Sequence, residues 1–366
     1  MRQKLTVFDK ATVLVTGHTG FKGSWLSLWL SSLGANVIGI SLDVPTDPAH
    51  FEAARLSDSL QDYRLDIRDG TVLQDIVRDT RPDFLFHLAA QPLVKRSHAN
   101  PVETWQTNVL GTVNVLEALR KVQHSCVAVL ITSDKCYDNV EWVWGYRETD
   151  ALGGPDPYSA SKGAAELAIR SYVRSYFPKE GPIRIGIGRA GNVIGGGDWA
   201  MDRIVPDCVR SWSQGETVQL RNPLATRPWQ HVFEPLSGYL CLAMALHEGA
   251  TLHGEPFNFG PSAQQNHSVG ALVSSMATHW EQVRWQDVSA RYGGPHESGL
   301  LKLNCDKALH LLDWQATWDF EVTVQETATW YRKYYEAPQD SIRNFSLQQI
   351  SDYVAEAGRQ GLPWAQ

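Results

Sequence analysis

Three glycines, Gly17, Gly20 and Gly23, follow the apolar residues 13–15 near the start of the chain. A helix is predicted directly after them, over residues 24–33, where apolar residues cover more than one side. Between a strand and a helix, such glycines allow a tight bend, admit a pyrophosphate close to the backbone and let the helix pack on the strand. The spacing therefore predicts the first unit of a dinucleotide-binding fold. The residues expected around the phosphates are Gly17, Thr19, Gly20, Phe21, Lys22 and Gly23.

Strand and helix patterns alternate through the first half of the chain. The predicted strands are residues 11–16, 36–42, 63–67, 84–88 and 127–132, and the longer predicted helices are residues 104–119 and 158–176. This alternation favours an α/β fold with a doubly wound parallel (Rossmann) sheet and right-handed crossovers. Residues 1–190 are predicted to form the dinucleotide-binding domain. The less regular residues 191–366 are predicted to form a smaller mixed substrate lobe, with some segments returning to the first sheet.

The composition is that of an ordinary globular protein, since 43% of the 366 residues are hydrophobic and 20% are charged. There are 33 basic and 40 acidic side chains, a formal charge of −7, which argues against a nucleic-acid binder. The five cysteines form no CxxC pair, and no clustered Cys/His spacing suggests a metal. No signal peptide or membrane-length apolar run is recognisable. We expect a cytoplasmic protein without a metal, a membrane or a nucleic acid as partner.

Ser133, Tyr158 and Lys162 supply a hydroxyl, a phenol and an amine, in that order along the chain. Tyr158 and Lys162 are four residues apart in a predicted helix, so they share one of its faces. Alone, such a pair is more often a surface pair, but the glycine turn and Ser133 favour catalysis. A phenolate can take the proton of an alcohol while a dinucleotide takes the hydride. These three residues are therefore predicted to be catalytic, with Tyr158 and Lys162 also contacting the cofactor.

Asp134 and Lys135 follow Ser133 directly, and simple alcohol oxidation needs neither. An acid and a second amine can instead catalyse the elimination of water beside a new ketone. The pattern therefore predicts an enzyme that oxidises a sugar, eliminates water and returns the hydride. As structural alternatives, Asp134 would cap the strand end and Lys135 would be a solvated lysine.

The ribose end of the predicted cofactor site is ambiguous. An acidic residue that ends the second strand would hold the ribose diol of NAD, but Ser41 stands there and Asp43 comes two residues later. Lys22 and Arg68 could attract the 2′-phosphate of NADP, but Asp43 favours NAD. The further expected cofactor contacts are Ser41, Asp43, Asp66, Ile67, Leu88, Ala89, Ala90 and Asn108.

The glycine turn, Asn108, Ser133 and the Tyr158/Lys162 pair together resemble the extended short-chain dehydrogenase/reductase superfamily. Within it, Ser133-Asp134-Lys135 and the segments 189–199, 203–207 and 296–303 resemble the CDP-glucose 4,6-dehydratases, over nearly the full length. In the related dTDP-glucose and GDP-mannose dehydratases a glutamate replaces Lys135. The resemblance implies that CDP-D-glucose is converted to CDP-4-dehydro-6-deoxy-D-glucose and water, with NAD taking the hydride from C4 and returning it to C6. The product would serve deoxysugar synthesis for surface polysaccharides such as O-antigen lipopolysaccharide.

The resemblance also implies a role for each residue of the oxidation. Tyr158, as the phenolate, would accept the proton of the sugar 4-hydroxyl, whose oxygen Ser133 would hold. A free tyrosine has a pKa near ~10, so Lys162 and the cationic nicotinamide ring are expected to favour the anion. Asn108 resembles the position that supports Lys162 through backbone or water.

In the elimination, the resemblance implies that neutral Lys135 removes the C5 proton and protonated Asp134 supplies a proton to the departing 6-hydroxyl. Burial or nearby cations must then lower the pKa of Lys135, and desolvation must keep Asp134 neutral. In a rival assignment Lys135 stays charged beside the enolate and another group is the base. Adjacent residues of a strand point to opposite faces, so a bend must bring Asp134 and Lys135 to the same sugar.

Asn192, Arg203, Arg227 and His231 are the expected substrate contacts, because guanidinium groups clasp phosphate oxygens and the segment 227–231 resembles the family's phosphate-contacting segment. The alternatives are a 4-epimerase, a 4,6-dehydratase of another nucleotide sugar or, more remotely, a non-catalytic NAD-sensing protein. The resemblance to extended members of the superfamily implies a dimer in which long helices pack together. A homodimer or homotetramer is therefore expected, through helices 104–119 and 158–176.

Overall fold

A seven-stranded parallel sheet forms the centre of the computed structural model, which describes residues 5–262, 264–281, 283–289, 300–336 and 341–366. Its strand order is β11-β6-β5-β4-β1-β2-β3, and every neighbouring pair is parallel. The prediction of a doubly wound α/β sheet is confirmed. The strands are β1 (Thr12–Thr16), β2 (Asn36–Ser41), β3 (Gln61–Arg64), β4 (Phe84–His87), β5 (Cys126–Ile131), β6 (Ile183–Arg189) and β11 (Pro256–Asn258).

Shorter strands pair outside this sheet, in the second half of the chain. They are β7 (Val193–Ile194) with β10 (Gln230–His231), β8 (Val218–Leu220) with β13 (Trp285–Asp287), and β9 (Thr226–Arg227) with β12 (His267–Ser268). The β9–β12 pair is antiparallel and the other two pairs are parallel. Strand β11, from the same half, pairs with β6 at the edge of the large sheet.

Helices cover both faces of the sheet. They are α1 (Phe21–Ser32), α2 (His50–Ala53), α3 (Gly70–Thr80), α4 (Val94–Ala99), α5 (Pro101–Trp105), α6 (Gly111–Arg120), α7 (Pro157–Tyr176), α8 (Ile204–Ser213), α9 (Phe233–Glu248), α10 (Val269–Ala277), α11 (Asp306–Leu312), α12 (Phe320–Glu336) and α13 (Ile342–Arg359). Among the residues described, no helix is both long enough and apolar enough to span a bilayer.

Alternation along the strands divides the interior into two cores. Val13 and Val15 of β1 point to a core shared with α1, α9, α12 and α13, whereas Leu14 points to a core shared with α3 and α6. The first core is rich in aromatic side chains from the C-terminal half. All five cysteines are free thiols, and four of them are buried.

Two predicted elements differ from the structure. The third strand is β3, residues 61–64, rather than 63–67. The helix predicted over 104–119 is divided into α5, a π turn at Gln106–Leu110 and α6. A π turn inserts one extra residue into a helical turn and often marks a functional position.

Candidate active site

Ser133, Asp134 and Lys135 lie where β5 leaves the sheet and enters the 3₁₀ turn Asp134–Cys136. Ser133 is extended, and its Oγ donates to Asp134 Oδ1 at 2.8 Å while accepting from Lys135 N at 3.2 Å. Asp134 is 5% exposed. This turn places the serine hydroxyl and the Asp134 carboxyl together, whereas a bend that brings Asp134 and Lys135 to one sugar stays a prediction.

Lys135 has a different environment from the one expected. Its side chain is exposed in the 3₁₀ turn, although the residues on both sides of it are buried. Burial, one of the two conditions expected to act on this amine, is therefore not observed in the protein alone.

Tyr158 and Lys162 lie in the first turns of α7, which begins at Pro157 with Asp156 as its N-cap, accepting from Ser159 N at 3.0 Å. Burial raises the pKa of Tyr158 to about 12, while a hydrogen bond with Ser133 and the charge of Arg203 act in the opposite direction. Burial lowers the pKa of Lys162 to about 8. The tyrosine is thus a neutral phenol in the protein alone, and cations must act on it before it can serve as a base.

Two further cations border these groups. Arg203 donates from Nη1 to Asp198 Oδ2 at 2.8 Å, and the charge of Asp198 raises the pKa of Arg203. Lys22 lies at the start of α1, and burial lowers its pKa to about 8, opposed by the charge of Asp134. Lys22, predicted as a cofactor contact, thus links the glycine turn electrostatically to the catalytic turn.

Asn108 lies in the π turn and is 2% exposed. Its Oδ1 accepts from Gln91 N at 2.8 Å, and its Nδ2 donates to Ser161 Oγ at 2.9 Å. Ser161 precedes Lys162 on α7, so Asn108 fixes the helix turn that carries the lysine. Asn108 therefore supports Lys162 indirectly, through Ser161.

The glycine turn has the shape that a pyrophosphate requires. Gly17 has φ +78°, and a Cβ there would lie 2.7 Å from Ala89 N. A Cβ on Gly23 would lie 2.0 Å from Gly17 O. A Cβ on Gly20, by contrast, would meet only Gly17 O, at 3.3 Å, within 4 Å. Gly20 therefore has one close neighbour, a backbone oxygen of the same turn, at the start of α1, where amides can approach a phosphate, and the residues fit a dinucleotide.

The end of β2 holds a hydrogen-bonded group that ties the glycine turn to the expected ribose site. Ser41 Oγ accepts from Thr19 N at 3.3 Å and pairs with His18 Nδ1 at 3.0 Å. Thr19 Oγ1 donates to the Asp43 carbonyl at 2.6 Å. The Asp43 side chain is exposed, and His18 Nε2 pairs with Asp62 Oδ1 at 3.0 Å. The residues Ser41 and Asp43 therefore shape this end of the site.

The remaining predicted cofactor residues have unequal exposure. Asp66 accepts three hydrogen bonds from the Arg68 guanidinium, which lower the pKa of Asp66. Ile67 is buried beneath Gly111, where a Cβ would lie 2.5 Å from Ile67 Cδ1. Packing is thus the observed role of Ile67. The half-buried segment Leu88, Ala89 and Ala90 lies beside Gly17 and remains accessible to a ligand.

A pocket opens beside Asp134 in the second half of the chain. Its lining includes Asp134, Gly191, Asn192, Gln230, Gln265 and Lys302. Gln230 Nε2 donates to the carbonyls of Gly191 at 2.8 Å and Phe259 at 3.1 Å, which fixes the orientation of its amide. Within the described ranges, Gln230 Oε1 and Gln265 Oε1 are buried without a hydrogen-bond partner. Both oxygens are therefore available to accept from a ligand.

The four predicted substrate residues do not all reach this pocket. Asn192 lines it with φ +48°, and Arg203 lies near Tyr158. Arg227, in β9, donates to the Thr226 carbonyl at 2.7 Å. The residues 296–299 of the resembling segment lie outside the described residues.

His231 is the predicted substrate residue that the structure removes from the site. It is fully buried, with ring centroids 4.4 Å from Phe233 and 4.8 Å from Trp318. Burial lowers the pKa of His231 to about 3, so it carries no charge for a phosphate at neutral pH. The prediction of a phosphate contact here is wrong, because the imidazole belongs to the aromatic core.

Comparisons with known proteins identify the family. A model of the GDP-mannose 4,6 dehydratase family matches residues 14–327. The chain belongs to this family. A CDP-glucose 4,6-dehydratase of Salmonella typhimurium is 46% identical over 352 residues, 95% of this chain and 97% of that relative. The resemblance to sugar-nucleotide dehydratases is therefore confirmed.

Solved structures support the dehydratase-family fold. The dTDP-glucose 4,6-dehydratase of Bacillus anthracis, in complex with NAD, aligns with a TM-score of 0.71 and 22% identity, covering 88% of this chain and 97% of that one. The UDP-glucose 4-epimerase of Stenotrophomonas maltophila, with bound NAD, aligns with a TM-score of 0.76 and 21% identity, covering 88% and 98%. At these identities the likeness concerns the fold alone.

Sequence reasoning missed three parts of this dehydratase-family site. His18 lies inside the glycine turn, a position that could have marked it as a partner of Ser41 at the end of β2. Glu166 follows Lys162 by one helical turn, so the spacing placed it on the catalytic face of α7. Gln230 carries no charge or motif that would have distinguished it. Its importance depends on contacts with the distant residues Gly191 and Phe259.

Proposed function

We propose that this chain is an NAD-dependent hydro-lyase that converts CDP-D-glucose to CDP-4-dehydro-6-deoxy-D-glucose and water. The observation that carries the proposal is the single turn in which Ser133 Oγ donates to Asp134 Oδ1, bordered by Tyr158. That arrangement joins the groups for alcohol oxidation to an acid for elimination. The CDP-glucose 4,6-dehydratase that is 46% identical over 95% of this chain supports CDP-glucose as the substrate.

NAD, when bound, accepts a hydride from the substrate and later returns it. Gly17, Gly20 and Gly23 would hold its pyrophosphate through backbone amides at the start of α1. Lys22 would lie between this cofactor and Asp134, because it interacts with that carboxyl. Ser41 and Asp43 would border the ribose.

In the oxidation, Tyr158 accepts the proton of the sugar 4-hydroxyl and Ser133 holds the same oxygen. Burial favours the protonated phenol, so the base form depends on nearby positive charge. Arg203 supplies one such charge near Tyr158. Lys162 lies one helical turn away and keeps its amine in the buried part of the site.

In the elimination, Asp134 supplies a proton to the departing 6-hydroxyl and Lys135 removes the proton from C5. The buried Asp134 carboxyl faces the pocket, whereas Lys135 is exposed until a ligand covers the turn. Substrate binding would therefore remove water from the Lys135 amine. The unpaired Gln230 Oε1 accepts a hydrogen bond from the bound sugar nucleotide.

The test is turnover of purified protein with NAD⁺ and CDP-, dTDP-, UDP- or GDP-glucose, followed by product mass and deuterium uptake from solvent at C5. We expect loss of one water from CDP-glucose without net NADH. Tyr158→Phe, which lacks only the phenol hydroxyl, is the matched control and should abolish product. Water loss from a different nucleotide sugar would reject CDP-glucose. Epimerisation at C4 without C5 exchange would reject the dehydratase assignment.

We also propose that the enzyme is a cytoplasmic homodimer formed through α5, the π turn and α7, which contact one another. Apolar side chains are exposed along these elements, namely Val102 (68%), Trp105 (40%), Leu110 (55%) and Leu167 (48%). Water contact with such a group of apolar side chains is unfavourable, and a second copy would remove it.

A further inference from the structure

A buried ion pair lies directly behind the catalytic turn. Arg189, the last residue of β6, donates from Nε to Glu166 Oε1 and from Nη2 to Glu166 Oε2, both at 2.8 Å. The side chains of Arg189 and Glu166 are 2% and 4% exposed. This two-bond geometry fixes the orientation of both groups.

The same ion pair holds both ends of the turn that carries Ser133 and Asp134. Before the turn, Thr132 Oγ1 donates to Glu166 Oε1 at 2.5 Å. After the turn, Arg189 Nη1 donates to Tyr137 OH at 2.7 Å. The residues that flank the turn 133–136 on both sides are therefore hydrogen-bonded to the same ion pair.

The ion pair also joins that turn to the helix that carries Tyr158 and Lys162. Glu166 lies four residues after Lys162 on α7, so both side chains occupy one face of the helix. The charge of Glu166 acts on Lys162 in the direction that keeps the ammonium protonated. Any shift of Glu166 would therefore change the turn, the helix and the field at Lys162 together.

A second layer connects the ion pair to the C-terminal half. Tyr137 OH donates to Asn258 Oδ1 at 2.8 Å, and Asn258 Nδ2 donates to the carbonyls of Tyr146 at 2.8 Å and Asn304 at 3.1 Å. Buried ion pairs are often no more stabilising than apolar replacements, whereas they can fix one geometry. Positional accuracy is the property that a catalytic turn requires.

We propose that Glu166 and Arg189 are positioning residues, which act through Thr132 and Tyr137 to align the Ser133–Asp134 turn with Tyr158 and Lys162. This inference rests on the proposed function for the roles of the aligned residues. The alignment itself is a property of the fold and can be measured without turnover.

The test uses Thr132→Val and Tyr137→Phe in the full chain, because each removes one hydroxyl and leaves the ion pair intact. We expect kcat for CDP-glucose to fall by about 10- to 100-fold with little change in KM, since misplacement of catalytic groups affects the chemical step. Thr132→Ser, which restores the hydroxyl, should recover most of kcat. Thr327→Val and Tyr353→Phe remove buried hydroxyls elsewhere and should retain kcat.

Hydrogen–deuterium exchange of the amides of residues 133–137 gives a readout that is independent of activity. We expect faster exchange there in Thr132→Val and Tyr137→Phe, and wild-type exchange in the two controls. Unchanged exchange, unchanged kcat or an equal loss of kcat in the controls would each overturn the positioning role. A wild-type protein inactive on every nucleotide sugar would instead reject the proposed function, and the exchange comparison would still decide the alignment.

Discussion

The carboxylate of Asp134 lies directly against the backbone of Gly191, because a Cβ built on Gly191 would lie only 1.8 Å from Asp134 Oδ2. Gly191 is absent from the residues with positive φ, so space rather than backbone conformation requires glycine here. Both residues line the pocket beside the catalytic turn. The absence of a side chain at Gly191 thus leaves the space that the carboxyl group of Asp134, the proposed acid, occupies.

Gly191→Ala should displace the Asp134 carboxylate while leaving the fold intact, since the nearest obstacle is a side chain. We expect kcat to fall by about 100-fold, the scale of a misplacement near 1 Å. Steady-state turnover of CDP-glucose and the thermal unfolding midpoint check this. Gly249→Ala is the matched control, because a Cβ there meets nothing within 4 Å. Full activity of Gly191→Ala would mean that Asp134 does not act from this position.

Lys135→Arg should separate a base from a charge at this position. Arginine keeps the positive charge but cannot lose its proton in a protein. We therefore expect Lys135→Arg and Lys135→Met to lose C5 deuterium exchange to the same degree, measured by product mass in D₂O. Substantial exchange in Lys135→Arg but not in Lys135→Met would support the rival assignment, in which Lys135 stabilises the enolate by its charge.

Sequence patterns predicted the sheet well where strands are buried and less well at its edge. Strands β1, β4 and β5 are apolar runs, which a sequence reveals directly. Strand β3 consists of four exposed residues, so no apolar pattern marks its bounds. The π turn at residues 106–110 keeps a helical pattern of side chains, and its extra residue is a backbone property that periodicity does not show.

For the candidate site, residues adjacent in sequence were easier to predict than those brought together by packing. The 3₁₀ turn gathers Ser133 and Asp134 through local hydrogen bonds. His231 was misjudged because its environment comes from Trp318, which is distant in the chain. Glu166 and Arg189 likewise meet only after β6 and α7 have packed.

Gly20→Ala and Gly23→Ala should separate cofactor binding from folding. At Gly20 the added Cβ would meet one backbone atom, Gly17 O at 3.3 Å, so we expect a smaller change in the thermal midpoint than at Gly23 but a large loss of NAD affinity, measured by calorimetric titration. At Gly23 the Cβ would lie 2.0 Å from backbone, so we expect destabilisation by about 1–3 kcal/mol. Unchanged NAD affinity in Gly20→Ala would place the pyrophosphate elsewhere.

Leu167→Glu should weaken the proposed homodimer, because it places a charge among the exposed apolar side chains of α5 and α7. We expect light scattering to give the mass of a dimer for the wild type and of a monomer for the variant. Leu311→Glu, at a leucine of α11 that is 53% exposed, is the control and should remain dimeric. A wild-type monomer, or dissociation of both variants, would contradict the proposed interface.

Glu234→Gln should remove one component of the pH dependence of stability. Glu234 is fully buried, accepts from Thr317 N and Trp318 N at 2.8 and 2.9 Å, and accepts from Tyr353 OH at 2.8 Å. Burial raises the pKa of Glu234 from 4.5 to about 7. The folded protein therefore binds this proton more tightly than the unfolded chain does. The resulting stability is fully present below pH 4.5 and is lost as the pH rises through about 7, a change of about 3 kcal/mol.

Denaturant unfolding at pH 4.5, 6 and 8 measures this component. We expect Glu234→Gln, whose amide carries no charge at any of these pH values, to gain stability relative to wild type as the pH rises. Glu180→Gln, at an exposed glutamate, is the control and should follow the wild-type profile. A constant difference between Glu234→Gln and wild type across this range would mean that the three hydrogen bonds compensate for burial. In that case Glu234 would have the same pKa in the folded enzyme as in the unfolded chain.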